Sequence, residues 1–158
     1  MLKKLQEFLD RNGVEYLHTV HPTAYTAREV AAAEHIPPHE VAKTVVLLSE
    51  NGYAMAVLCA DCVVDLEQLR ADLGLARVRL ATEAELGELF PDCELGAMPP
   101  LGNLFGLPVY VDAQLAACER IAFNAGTHRD MVHMRFGDFQ RLVKPEIIAF
   151  ARRVTAAG

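Results

Sequence analysis

Two stretches and one lysine place chemistry-capable groups at informative spacing. Residues 96–108, GAMPPLGNLFGLP, hold three glycines and three prolines in thirteen positions, yet the rest is mostly apolar. A surface linker would be polar, and a core strand would not contain adjacent prolines. Such a loop can hold main-chain N–H groups at fixed positions without offering a reactive side chain; a rigid helix-to-strand connector is the plainer reading, and the two are compatible. Lys43, in HEVAKTVVLL, sits where a helical pattern gives way to an apolar strand. It is either a strand-edge lysine that snorkels or a fixed cation at a pocket mouth, able to hold a phosphate or polarise an oxygen. In FNAGTHRD, 123–130, an amide, a hydroxyl and an imidazole surround Gly126. This is either an ordinary strand–turn–strand connection or a polar pocket wall.

Other groups point less sharply. Cys59 and Cys62 have CxxC spacing, but Cys93 and Cys118 form no second pair. Small buried residues at the end of a core strand are favoured over a zinc or redox site. The six histidines include no HExxH and no carboxylate–histidine cluster at ligand spacing, so neither a metal nor another cofactor is expected. There is no GxSxG elbow, P-loop or GxGxxG signature.

The elements that must position these groups are readable in outline. Leu2, Leu5, Phe8 and Leu9 share a face of a helix over 2–11, stopped at Asn12-Gly13. A strand over VEYLHTVHP precedes a short helix capped by Thr26, with Glu29 three residues on. VAKTVVLLSE and YAMAVLCA form a hairpin around Asn51-Gly52, a pair suited to a type I′ turn. Helices capped by Asp65 and Thr82 flank a strand in ARVRLA. After the Gly/Pro loop come a strand (PVYVD), a short helix (AQLAAC), strands in RIAFNAG and MVHMRF, a helix in GDFQRLVKP and a last helix over 146–154. The pattern predicts one α/β (α+β) domain over 1–158, with a mixed, mostly antiparallel sheet and flanking helices.

The chain has 158 residues, 52% hydrophobic, with a net charge of −6. An acidic protein is not a general nucleic-acid coat, although residues 120–153 carry enough arginine and lysine for a local basic rim. The N-terminus is too charged for a signal peptide, and no apolar run reaches membrane-spanning length, so a cytoplasmic protein is expected, without membrane contact.

HPTAYTAREVA (21–31), VAKTVVL (41–47), GAMPPLG (96–102) and FNAGTHRDMVHMRFGDF (123–139), in this order and spacing, resemble the YbaK/ProX-type aminoacyl-tRNA deacylases, relatives of the prolyl-tRNA synthetase editing domain. The resemblance runs from about residue 14 to 145. Gly96-x-x-x-Pro100 matches the family's GxxxP loop, Lys43 its lysine, and Gly126-x-His128 the Gly-x-His segment of several branches. It implies a trans-editing hydrolase that removes a small amino acid, such as alanine, serine or cysteine, from a mischarged tRNA. It implies no metal or cofactor and no protein nucleophile: water attacks the ester with help from a ribose hydroxyl. The alternative is a non-catalytic module of the same fold that binds a nucleotide, an amino acid or a synthetase.

On this resemblance Lys43, Gly96, Pro100 and His128 are the expected catalytic residues. His21, Tyr25, Thr26, Thr44, Ala97, Met98, Asn124, Gly126 and Thr127 are the expected substrate-binding residues. The expected partner is the tRNA acceptor end, touched by Lys43 and by Arg28, Arg129 and Arg135, with a synthetase as a second candidate. Thr44 after Lys43 matches the cysteinyl-tRNA branch, whereas His128 matches alanine-type members, so the amino acid stays open.

Overall fold

The structure is a computed structural model and describes residues 1–154; the last four positions of the expected 1–158 domain lie outside the described residues. In chain order the elements are α1 (Lys3–Arg11), β1 (Tyr16–Val20), α2 (Ala27–Glu34), β2 (Ala42–Ser49), β3 (Gly52–Cys59), β4 (Cys62–Val64), α3 (Leu66–Leu73) and β5 (Val78–Leu80). There follow α4 (Glu83–Leu89), β6 (Val109–Asp112), α5 (Ala113–Ala116), β7 (Arg120–Asn124), β8 (Asp130–Arg135), α6 (Phe136–Val143), β9 (Glu146–Ile148) and β10 (Ala151–Arg153). The α/β class is as expected, and most strand pairs are antiparallel.

The strands divide among three sheets rather than one. The largest has the order β5-β2-β3-β6-β9, with β3-β6 and β6-β9 parallel. β1-β8-β7 form a second sheet and β10-β4 a third. β3 is central and covered on both faces, so its sequence is an unbroken apolar run: Met55, Ala56, Val57 and Leu58 are all fully buried. A single parallel bridge, Val41 to Ala122, joins the start of β2 to β7. The two larger sheets meet there, beside Lys43 and Asn124.

Local chemistry explains most element boundaries. Thr26 accepts from the Glu29 amide, Asp65 from that of Gln68, and Thr82 with Glu85 completes a capping box. Two expectations fail. The hairpin connection is Glu50–Asn51, with Ser49 paired to Gly52; neither connecting residue has positive φ, so the turn is not type I′. Residues 146–154 form strands β9 and β10 instead of a helix. β9 pairs with β6, and the buried Asp112 accepts from the Phe150 and Ala151 amides at 2.9 Å and the Gln114 amide at 3.0 Å. Specific tertiary partners outweigh a helical pattern that would leave this carboxylate alone in the core.

The turn after β7 is also held by a carboxylate. Asp130 accepts from the Thr127 hydroxyl and the His18 ring, both at 2.6 Å, while the Thr127 oxygen accepts from the Arg129 and Asp130 amides. Burial pushes the Asp130 carboxyl up, but the bonds from Thr127 and His18 override it and hold the group down at about 2.

Two stability outcomes are expected. Asp112→Ala leaves buried amides without an acceptor and should lower the unfolding free energy by about 3 kcal/mol in urea titration; a loss under ~1 kcal/mol would show that the ties to 150–151 are incidental. Asp130 ionises more readily folded than unfolded. Its contribution is therefore full above its ordinary value of 3.8 and is lost as pH falls from there to about 2. Asp130→Asn should flatten that part of the acid-unfolding curve, and an unchanged slope would contradict the assignment.

Candidate active site

A cleft with about 150 Å³ of free space opens where the two larger sheets meet. Ala42, Lys43 and Thr44 come from the first residues of β2, Asn124 from the end of β7, Tyr25 from the residues before α2, and Gly96 and Met98 from the Gly/Pro loop. Four separate stretches of chain thus converge on one concavity.

The loop's composition follows from its two sides. Ala97, Met98 and Leu101 are core residues, and Pro99 and Pro100 are buried with them. Proline brings no N–H into that core, so stiffness is gained without an orphaned donor. Gly96 stands exposed at the mouth with φ of 82°, a conformation that L side chains rarely adopt. The Ala97 amide donates to the Glu94 carbonyl. Among the described residues no acceptor takes the amide hydrogens of Gly96 or Met98. Both residues line the cleft, so their amides are candidate donors to a ligand.

The 124–130 segment lies against this loop. Gly126 packs so closely on Leu2 that a Cβ at this position would stand 2.9 Å from the Leu2 Cβ. His128 is buried, lies tilted against Tyr25 with ring centroids 5.0 Å apart, and points Nε2 at the Leu95 carbonyl, 2.6 Å away. A carbonyl accepts, so Nε2 carries the hydrogen. His21 Nδ1 faces the Pro22 carbonyl in the same way. Asn124 Oδ1, His128 Nδ1 and His21 Nε2 are buried without a hydrogen-bond partner.

Lys43 is half-buried, and burial lowers its pKa first; the nearby Arg28 charge acts the same way, while Cys62 and Asp61 oppose it. Among the described residues no carboxylate lies within ion-pairing distance of its Nζ. An ammonium held in a cleft without a counter-ion suits an anionic ligand. Cys59 and Cys62 end β3 and begin β4, and with Asp61 bring donor atoms within 4.8 Å of one another. Burial pushes the Cys59 thiol up to about 12 and raises that of Cys62, so neither is a ready nucleophile near neutrality.

Of the thirteen residues singled out in the sequence, Lys43, Thr44, Tyr25, Gly96, Met98 and Asn124 line the cleft. His128 stands behind Gly96 and Tyr25. Ala97 and Pro100 are inside the loop's core side, Thr26 caps α2, Gly126 accepts from and donates to the loop, and Thr127 serves its own turn. His21 is buried beside Arg129, whose Nε donates to its carbonyl. Arg28, Arg129 and Arg135 are exposed. Ala42 was not singled out; its small side chain leaves room beside Lys43, and its position next to the lysine was the available signal.

Known proteins resemble this chain in sequence and in fold. A family profile described as the aminoacyl-tRNA editing domain matches residues 21–142. The multifunctional Ser/Thr-tRNA deacylase ProXp-y of Escherichia coli K12 is 30% identical over 155 residues, covering 95% of this chain and 92% of that protein. A proline–tRNA ligase of Xylella fastidiosa Temecula1 is 29% identical over 136 residues, which are 84% of this chain but 23% of the ligase. A crystal structure described as a candidate trans-editing enzyme for prolyl tRNA synthetase superposes with a TM-score of 0.83 at 22% identity, covering 96% of each chain. With three quarters of its length matched by one profile and a full-length relative at 30% identity, the chain belongs to the aminoacyl-tRNA editing domain family.

Proposed function

We propose that this trans-editing deacylase removes a small amino acid from a mischarged tRNA, binding the acceptor end through Lys43 and the ester carbonyl through the Gly96 and Met98 amides. One observation carries the reading: a half-buried ammonium without a carboxylate partner and two loop amides without acceptors meet at one cleft. An aminoacyl ester is already labile, so the protein's task is to position it and to stabilise charge growing on the carbonyl oxygen. Lys43 orients the terminal phosphate or ribose. A water, helped by a ribose hydroxyl, attacks the carbonyl, and the amide dipoles take up the developing negative charge. Asn124 lines the cleft, and its Oδ1, without a partner in the protein, is an acceptor for the substrate's α-amino group.

About 150 Å³ of free space suits a small side chain. Serine, alanine and cysteine fit this description, and the Ser/Thr-tRNA activity in the name of the E. coli relative supports serine and adds threonine. Separating side chains that differ by one methylene gains only ~1–3 kcal/mol, so tRNA contacts would have to supply the remaining selectivity. The related stretch within the proline–tRNA ligase supports a synthetase as a further partner.

The test uses labelled Ser-, Thr-, Ala- and Cys-tRNA with and without chelator. Release that persists in EDTA and falls ~10- to 100-fold in kcat/KM in Lys43→Ala is expected, since a charge-assisted contact of ~1.5–3 kcal/mol is lost. Binding without release would favour the non-catalytic module, and wild-type rates in Lys43→Ala would remove the lysine from the mechanism.

Burial lowers the Lys43 pKa, so its charge is lost at a lower pH than for an ordinary lysine near 10.5. Affinity for a non-hydrolysable 3′-amide-linked aminoacyl-tRNA should weaken as pH rises through that range. Lys43→Arg should move the weakening upward; identical profiles would count against a charge-based role.

A further inference from the structure

We infer that Glu94 is the positioning residue that aims the Gly96 and Met98 amides into the cleft, acting through the 126–128 segment; this rests on the deacylase reading above. Four hydrogen bonds tie the two segments. The Glu94 amide donates to the Gly126 carbonyl at 2.8 Å, and the Gly126 amide donates to the Ala97 carbonyl at 2.9 Å. Glu94 Oε1 accepts from the His128 amide at 2.7 Å, and His128 Nε2 donates to the Leu95 carbonyl at 2.6 Å. A fifth, from the Ala97 amide to the Glu94 carbonyl at 3.0 Å, closes the turn that presents Gly96.

The two side-chain bonds run in opposite directions. Glu94 reaches from the loop to the main chain of residue 128, and His128 reaches back to the main chain of residue 95. Together with the paired main-chain bonds they leave little freedom for the loop to slide or tilt. A carboxylate is the strong form of this contact, because charge-assisted bonds are about twice as strong as neutral ones. Glu94 does not line the cleft, so its action on the substrate is indirect. Gly96 follows two residues later, and a misplacement of ~1 Å in such a donor can lower turnover on the order of 10²-fold.

The experiment compares wild type, Glu94→Ala and Glu94→Gln in the full chain by kcat, KM and melting temperature on a mischarged tRNA. Amide hydrogen exchange is read at Gly126. Glu94→Ala should lose on the order of 10²-fold in kcat with KM nearly unchanged, and the Gly126 amide should exchange faster. Glu94→Gln keeps an oxygen acceptor and should recover most of the rate and protection. An unchanged kcat, an effect confined to KM, or a Glu94→Gln as impaired as Glu94→Ala would overturn the assignment. If Glu94→Ala fails to fold, Glu94→Ser, too short to reach the His128 amide, takes its place, with the same loss expected and a wild-type kcat overturning the assignment. Wild type inert on every tRNA would refute the deacylase reading, whereas Gly126 exchange would still report whether the clamp depends on Glu94.

Discussion

The hydrogen bonds between residues 94–97 and 126–128 carry a loop that follows α4 onto the end of β7. Neither segment has a regular element to hold it. The loop cannot join a sheet, because Pro99 and Pro100 interrupt any ladder. The strand end cannot continue, because the chain turns at Gly126 and is fixed there by Thr127 and Asp130. Each irregular segment supplies what the other lacks, and the cleft is the space left between them and the start of β2.

Lys43 is set by a different constraint. Its position on β2 is fixed by register, opposite Leu58 of the buried central strand. The parallel bridge at Val41 then brings that end of β2 to β7. A half-buried cation without a carboxylate at ion-pairing distance costs stability, and such groups are candidates for completion by a ligand. The acidic net charge of −6 is compatible with this, because one well-placed cation holds one phosphate without neutralising a whole nucleic acid surface.

Much of this was legible in the sequence where a local rule and the tertiary environment agree. The β2–β3 hairpin is visible because an unbroken apolar run marks a strand covered on both faces. Thr82, a cap by residue type, gives the start of α4, and the stiffness and apolarity of 96–108 both have structural causes. Residues 146–154 were misread because Ile147, Ile148, Phe150 and Ala151 allow a helical pattern, while the deciding partner, Asp112, lies more than thirty positions away. Within the site, Lys43 and Gly96 could be found by residue type. The roles of Thr127 and His128 could not, since a hydroxyl and an imidazole read alike whether they face a ligand, a turn or a carbonyl. Glu94 looked like one acid in an acidic stretch; only its bond to the His128 amide distinguishes it.

The lining itself constrains how a reaction could proceed. Tyr25, Ala42, Lys43, Thr44, Gly96, Met98 and Asn124 include no carboxylate, histidine or cysteine. The titratable side chains in this lining are Tyr25 and Lys43, and Lys43 is placed to carry charge against an anionic ligand. A thiol nucleophile is no closer to hand, because Cys59 and Cys62 are buried and protonated near neutrality. In the proposed mechanism, as the family resemblance implies, the proton leaves through a hydroxyl of the substrate, and the protein contributes the dipoles of the loop amides. A mechanism of that kind depends on rigidity, and the most constrained parts of this cleft are main chain, proline and the bonds that pin them.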